Sequence, residues 1–308
     1  MVSALVIPNV TKNYNDKKYN TARLKALKTF GEAGKMASIN EEINGQPTAR
    51  DFVKNVLSKY LKIVKVCDTA AECNFPSKIQ PLNSSANKFV SDNLGSWNSL
   101  SSIITSFNNL TDISNNNLSV YVMTTDGFSA KIFYNPKCVR NSRENPRSCP
   151  VKGIECETNI VDDACLNVIY DMNEIKSPNH VGDDIAFVTV FWSGLNTLSF
   201  APGILPYNIN SSPPSKSYIE AQKYCAQKGT KGVLYTLPNM YEAASLVLNK
   251  ELLSMPSIYL WTGSVDDSYY DPNAPHQHSY GWGIWNGGGG VLTQTGLGNG
   301  RAAYCVRR

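Results

Sequence analysis

The sequence predicts an α+β fold in two parts: a long amino-terminal helix packed on an antiparallel sheet, then a smaller α+β unit. Three observations carry this. Ala22, Ala26, Phe30, Ala33 and Ala37 recur at steps of four, four, three and four, one face of a helical period. Apolar alternation over 119–193 is interrupted by a tight-turn signal at Asp126-Gly127, the pattern of hairpin strands. A stretch with four prolines and no period, 201–214, separates these segments from a fresh helix start near Tyr218, so the parts are assigned to 1–200 and 215–308 with 201–214 as linker.

The first helix is expected over 9–44. Asn9 or Thr11 would cap it after Pro8, and Asn44-Gly45-Gln46-Pro47 would stop it. Gly31 and Gly34 lie beside its small-residue face, so whatever packs there comes near the backbone. A second helix is expected over 48–66, with Phe52, Val56, Leu57, Tyr60 and Leu61 on one side. Cys67 and Cys73 follow, spaced to close a small disulfide loop. From 75 to 118 serine and asparagine dominate, a loop with one helix around Ala86–Leu94. The sheet then takes Val120–Thr124, Ala130–Tyr134, Leu166–Tyr170 and Ile185–Trp192. Cys138, Cys149, Cys156 and Cys165 lie in a polar insertion, with three pairings open.

The chain has 308 residues, 42% hydrophobic, a formal charge of +4 and eight cysteines, an even count suited to an oxidising compartment. Charge is uneven: residues 1–66 hold 12 Lys/Arg against 5 Asp/Glu, and the rest hold 17 against 20. A basic start can signal nucleic acid, but aromatics are not interleaved with these cations, so a solvated helix face is the better reading and no nucleic-acid partner is expected. The apolar run Ala4-Leu5-Val6-Ile7 is far below the roughly 20 residues of a spanning helix. No cleavable signal is legible either.

Ala4-Leu5-Val6-Ile7-Pro8-Asn9-Val10, followed by a basic Ala-rich helix, resembles the type IV pilins and pseudopilins just past the middle of their long first helix. Asp171-Met172-Asn173, Ser177-Pro178-Asn179, Gly182-Asp183-Asp184 and Phe187 are similar to an Asp-x-Asn-Gly…Gly-Pro-Asn…Gly-x-Asp motif of pilin-like proteins, with Glu174 and Ser177 in place of two glycines. The resemblance covers residues 2–193. It implies an apolar half-helix before Met1 that would serve as export signal and inner-membrane anchor. It also implies pilin subunits as partners. Ala22, Ala26, Phe30, Ala33 and Ala37 are then the expected assembly face. Asp171, Asn173, Asp183 and Asp184 could hold a cation, as in some pseudopilins, but turn chemistry by their side chains is favoured.

The last 90 residues resemble the C-type-lectin-like superfamily, through Ala221–Cys225, Leu237-Pro238-Asn239 before a second helix, Leu260-Trp261-Thr262-Gly263-Ser264, Gly281–Trp285 and the ending Ala302–Arg307. The resemblance implies a Cys225–Cys305 disulfide. Asp271-Pro272-Asn273 is the nearest approach to the calcium tripeptide of sugar-binding members, and no Trp-Asn-Asp partner follows. A loop carrying Asp266, Asp267, Tyr269, Tyr270, His276 and His278 is the candidate recognition surface. His276 and His278 alone are too few for zinc. The glycines at 287–290 lack the context of a phosphate loop, and no Gly-x-Ser-x-Gly elbow is present.

The sequence therefore reads as a non-enzymatic minor pilin without cofactor or metal. It would display a lectin-like domain to a surface receptor or glycan, with a homotrimer as the expected assembly. A pseudopilin of a type II-like secretion system handling a protein cargo, or a free secreted binding protein, are the alternatives.

Overall fold

A computed structural model describes residues 3–40, 43, 45–82, 89–90, 118–136, 138, 157–158, 164–173, 175–191, 197–200, 213–230, 232–255, 259–265, 280–285, 291–296 and 300–307. It is mixed α+β. The chain opens with α1 (Ser3–Ile39), one continuous helix of 37 residues. It starts earlier than the caps at Asn9 and Thr11 would place it. Pro8 has no N–H to reach the Ala4 carbonyl, so one bond is missing from the second turn, yet the helix runs through it. It also stops short of 44, where the Asn40 N–H closes the last turn on Met36.

The helix expected over 48–66 is corrected. α2 (Ala49–Asn55), capped by the Thr48 hydroxyl, is followed by a 3₁₀ turn at Leu57–Lys59, and β1 (Ile63–Cys67) is a strand. Ile63, Val64 and Val66 are β-branched, lose side-chain freedom in a helix and fit a pleated edge. A second correction falls in the serine-rich stretch. β2 (Lys78–Ile79) pairs with β3 (Phe89–Val90), so two residues in the middle of the helix expected around Ala86–Leu94 are extended.

Six strands form the first sheet: β1, β4 (Ser119–Thr124), β5 (Ser129–Tyr134), β7 (Ala164–Asp171), β8 (Ile185–Phe191) and β9 (Thr197–Phe200), in the order β1-β4-β5-β7-β8-β9, all antiparallel. Gly127, at φ +80°, makes the tight turn between β4 and β5. Every residue of β5, β7 and β8 is buried, because the sheet is covered on both faces. Val120, Val122, Ile132, Val168, Tyr170, Val188 and Val190 point to one side, where α1 and α2 lie. Their neighbours in sequence, including Tyr121, Phe133, Ile169, Phe187 and Phe191, point to the other.

That second face is covered by the carboxy-terminal part of the chain. β10 (Ser215–Lys216) leads into α3 (Tyr218–Gln227), then β11 (Tyr235–Thr236) and α4 (Met240–Leu248). Ala243, Ala244, Leu246 and Val247 of α4 join the core on the sheet, and Tyr241 sets its ring 5.0 Å from that of Phe191. The second sheet runs β10-β15-β12-β13-β14-β6, with β12 (Tyr259–Val265), β13 (Tyr280–Trp285), β14 (Val291–Gly296) and β15 (Arg301–Ala302). Its last member, β6 (Glu157–Thr158), comes from the polar insertion of the first part and pairs with β14. β16 (Val306–Arg307) pairs with β11 instead. The ending Ala302–Arg307 is therefore shared between two short strands in different sheets, and β14 occupies a stretch for which the sequence reading named no strand.

Candidate functional site

The small-residue face of α1 is internal. Ala26, Phe30, Ala33 and Ala37 are buried, with Ala22 half-buried beside them. Phe30 stacks on Tyr170 with ring centroids 5.7 Å apart. Apolar periodicity marks a buried face without naming what buries it, and here the chain's own sheet does so. The expectation that these five residues meet neighbouring subunits is corrected. The opposite side of α1 is the outward one. There Leu24, Met36 and Ile39 are 67%, 44% and 58% exposed among Lys25, Lys28 and Lys35.

The connection from β7 to β8 gathers Asp171, Asn173, Asp183 and Asp184 into one turn. Both Asp184 oxygens accept backbone N–H groups, of Asn179 and His180, at 2.8 Å. Burial nevertheless pushes its carboxyl above the ordinary aspartate range, against the pull of those bonds. Asp171 accepts from the Asn173 N–H at 3.0 Å. Asp183 holds the His180 ring at 2.9 Å and raises that imidazole's pKa. Arg23 of α1 reaches across to the carbonyls of Gly182 and Asp183. These side chains build the turn and tie it to α1. Among the described residues no group of His, Cys, Asp and Glu is arranged to hold a metal ion.

Among the described residues three disulfides are present: Cys67–Cys73, Cys138–Cys165 and Cys225–Cys305. The second selects one partner for Cys165 from the three open pairings, while Cys149 and Cys156 lie outside the described residues. Three cross-links fit a compartment outside the reducing cytoplasm, periplasmic or extracellular. No described helix is long and apolar enough to cross a membrane. The expected recognition loop, with Asp266, Asp267, Tyr269, Tyr270, His276 and His278, also lies outside the described residues.

A different feature of the carboxy-terminal part has the shape of a site. Between α3 and β11 lies a cavity of about 410 Å³. Gln222 and Ala226 line it from one side of α3, Tyr235 and Thr236 from β11 with Leu234 just before it, and Leu237, Asn239 and Gly263 close it. α3 is held by a capping box between Ser217 and Glu220 and by the Cys225–Cys305 bond. α4 starts from a second capping box, in which Asn239 Oδ1 accepts the Glu242 N–H at 2.8 Å and Glu242 accepts the Asn239 N–H at 2.7 Å. Behind the cavity, the Tyr218 hydroxyl donates to the Gly263 carbonyl at 3.0 Å and accepts from Gln222 Nε2 at 3.2 Å. Among the described residues the lining supplies amides, a hydroxyl and a phenol, with no carboxylate and no cation. None of these residues was expected as a site. The legible signal was Gln222 and Ala226, one helical turn apart, but their partners come from three later segments.

Comparison of the chain with protein-family models, with curated proteins and with solved structures returns no match.

Proposed function

We propose that this chain is a non-enzymatic subunit of a bacterial type IV pilus-like fibre, a minor pilin whose lectin-like carboxy-terminal part serves adhesion or recognition. The observation that carries the reading is α1. A helix of 37 residues, opening on Leu5-Val6-Ile7-Pro8-Asn9, lays its small-residue face on an antiparallel sheet and keeps a separate outward stripe. A helix of this length, about 55 Å, presents more surface than its own sheet covers. Leu24, Met36 and Ile39 are apolar side chains on that outward side, available to neighbouring subunits. The disulfides support surface exposure, and the neutral cavity supports recognition by the carboxy-terminal part. Other pilin subunits and a surface receptor or glycan are the partners in this reading. The inner membrane holds the subunit before assembly, and a homotrimer forms at the tip.

The test is fractionation of cells making the full-length protein, with detection by antibody. Recovery in sheared surface fibres, lost when the fibre-assembly ATPase is deleted, is the expected result. Recovery free in the medium overturns it in favour of a secreted binding protein. Loss of an exported protein from the medium on deletion, without surface fibres, overturns it in favour of a pseudopilin.

A further inference from the structure

We infer that His180 is a proton-operated clasp, fastening the turn between β7 and β8 to residues 80–82 more tightly when its ring is charged. The inference is independent of the fibre reading, since it concerns a join inside the chain. Three segments meet at this turn. From α1, Arg23 donates to the carbonyls of Gly182 and Asp183 at 3.0 and 3.2 Å. From the stretch after β2, Gln80 donates its N–H to the Asn179 carbonyl and accepts from the Val181 N–H, both at 2.9 Å. Leu82 lies over Gly182, where a Cβ would sit 2.8 Å from its Cδ1, and its N–H donates to the Leu252 carbonyl at 2.9 Å. Leu252 belongs to the carboxy-terminal part, so residues 80–82 link the turn to that part.

The His180 ring sits at this join. Its Nδ1 pairs with Asp183 Oδ2 at 2.9 Å, and the Pro81 carbonyl is a second acceptor for it. Serving both takes two ring protons, and only the imidazolium has two. The neutral ring gives up one bond, and a bond kept at Asp183 loses the cation that strengthens it. The surrounding groups do not replace that proton. Arg23 is a guanidinium that does not titrate and is engaged with the two carbonyls. Both Asp184 oxygens are engaged with the Asn179 and His180 N–H groups. Tyr19 of α1 is held protonated by burial and by the negative charges of Asp184, Asp183 and Asp171. Lys176 of the turn, Lys78 of β2, and Lys250 and Glu251 before Leu252 are the other charged side chains among the described residues of these segments. Asp183 holds the His180 imidazolium above the ordinary 6.5 of histidine, against the pull of burial. The clasp's contribution is therefore complete below that pH and is lost as pH rises through the folded value. The disulfides fit a compartment outside the cytoplasm, where pH follows the surroundings.

The experiment uses the purified full chain. Imidazole NMR titration over roughly pH 5–9 follows the three histidines, and the signal missing from His180→Gln belongs to His180. Its midpoint should lie above 6.5 and fall back in Asp183→Asn, which identifies the same signal by moving it. Hydrogen exchange by mass spectrometry, corrected for the intrinsic rate, then reads peptides covering 79–82 and 179–185. As pH rises through the midpoint, their protection should drop roughly tenfold for each unit by which the midpoint exceeds 6.5. His180→Gln should show no such drop, being less protected than the wild type at acid pH and close to it at alkaline pH. Asp184, whose carboxyl is raised by burial, is present in both proteins and cancels in their comparison. A midpoint at or below 6.5, unchanged protection across the range, or a variant less protected by the same factor at every pH overturns the inference.

Discussion

Gly34 sits where α1 comes nearest the sheet, and a Cβ built there would lie 2.7 Å from Val190 Cγ2 and 3.1 Å from Cγ1. Neither methyl can swing away, because Val190 is buried in β8 and its branched Cβ restricts rotation. Glycine lowers helix stability by up to about 1 kcal/mol relative to alanine, so its presence mid-helix needs a packing reason. The close approach to Val190 is that reason. Gly34→Val should therefore destabilise the protein by about 2 kcal/mol through overpacking, despite valine's better helix propensity. Urea unfolding of the variant beside Lys35→Ala, at the adjacent exposed position, measures it. Equal midpoints for the two would mean that α1 does not lie this close to the sheet.

At the scale of elements, the union of α4 with the sheet is fastened by a buried polar network. Asn167 of β7 and Asn249, just after α4, exchange amide bonds of 2.9 and 3.1 Å. Thr189 of β8 donates to Asn167 at 3.0 Å and meets the Ser245 hydroxyl at 2.6 Å. All four side chains are buried. Removing one amide strands the other, so Asn167→Ala or Asn249→Ala should each cost about 2–3 kcal/mol. The double variant should cost clearly less than the sum, and additive values from denaturant midpoints would show that the pair does not act as a unit. Asn167 lies within the expected strand Leu166–Tyr170, but nothing local in the sequence pairs it with Asn249, 82 residues on, which illustrates what was legible there and what was not. β4, β5, β7 and β8 were legible because alternation and a turn signal are local. α3 and α4 were legible because Asn239 and the residues around Ser217 mark helix starts. β1 was misread because Ile63–Val66 continue an apolar run whose pairing with β4 lies about 60 residues away in the chain. The face of α1 was found and its occupant mistaken, since a period states that a face is covered and says nothing of by what. The cavity was missed because α3, β11 and Gly263 meet only in three dimensions.

For the whole molecule, the proline-rich stretch at 201–214 does not divide the packing. The core containing Phe187 and Phe191 of the first sheet also contains Leu246, Val247, Leu260 and Tyr304. β6, from before residue 160, completes the sheet built by β12, β13 and β14. Unfolding the carboxy-terminal part alone would bare the apolar face of β5, β7 and β8 to water, at roughly 25 cal/mol for each Å² exposed. The two parts should therefore unfold in one cooperative transition. Hydrogen exchange in rising denaturant tests this peptide by peptide: β8 and α4 should lose protection together. The Cys225–Cys305 bond, with a sequence separation of 80, sharpens the test. By chain entropy its loss removes up to about 4–5 kcal/mol, and that loss acts on whatever unit contains the loop. Replacing both cysteines by alanine should lower the transition of β7 and β8 as much as that of α4 and β12. If only the carboxy-terminal peptides lose protection, the two parts are separable modules. A coupled shift would mean that the recognition part is carried on the sheet as a fixed head, so that its cavity holds one orientation relative to α1.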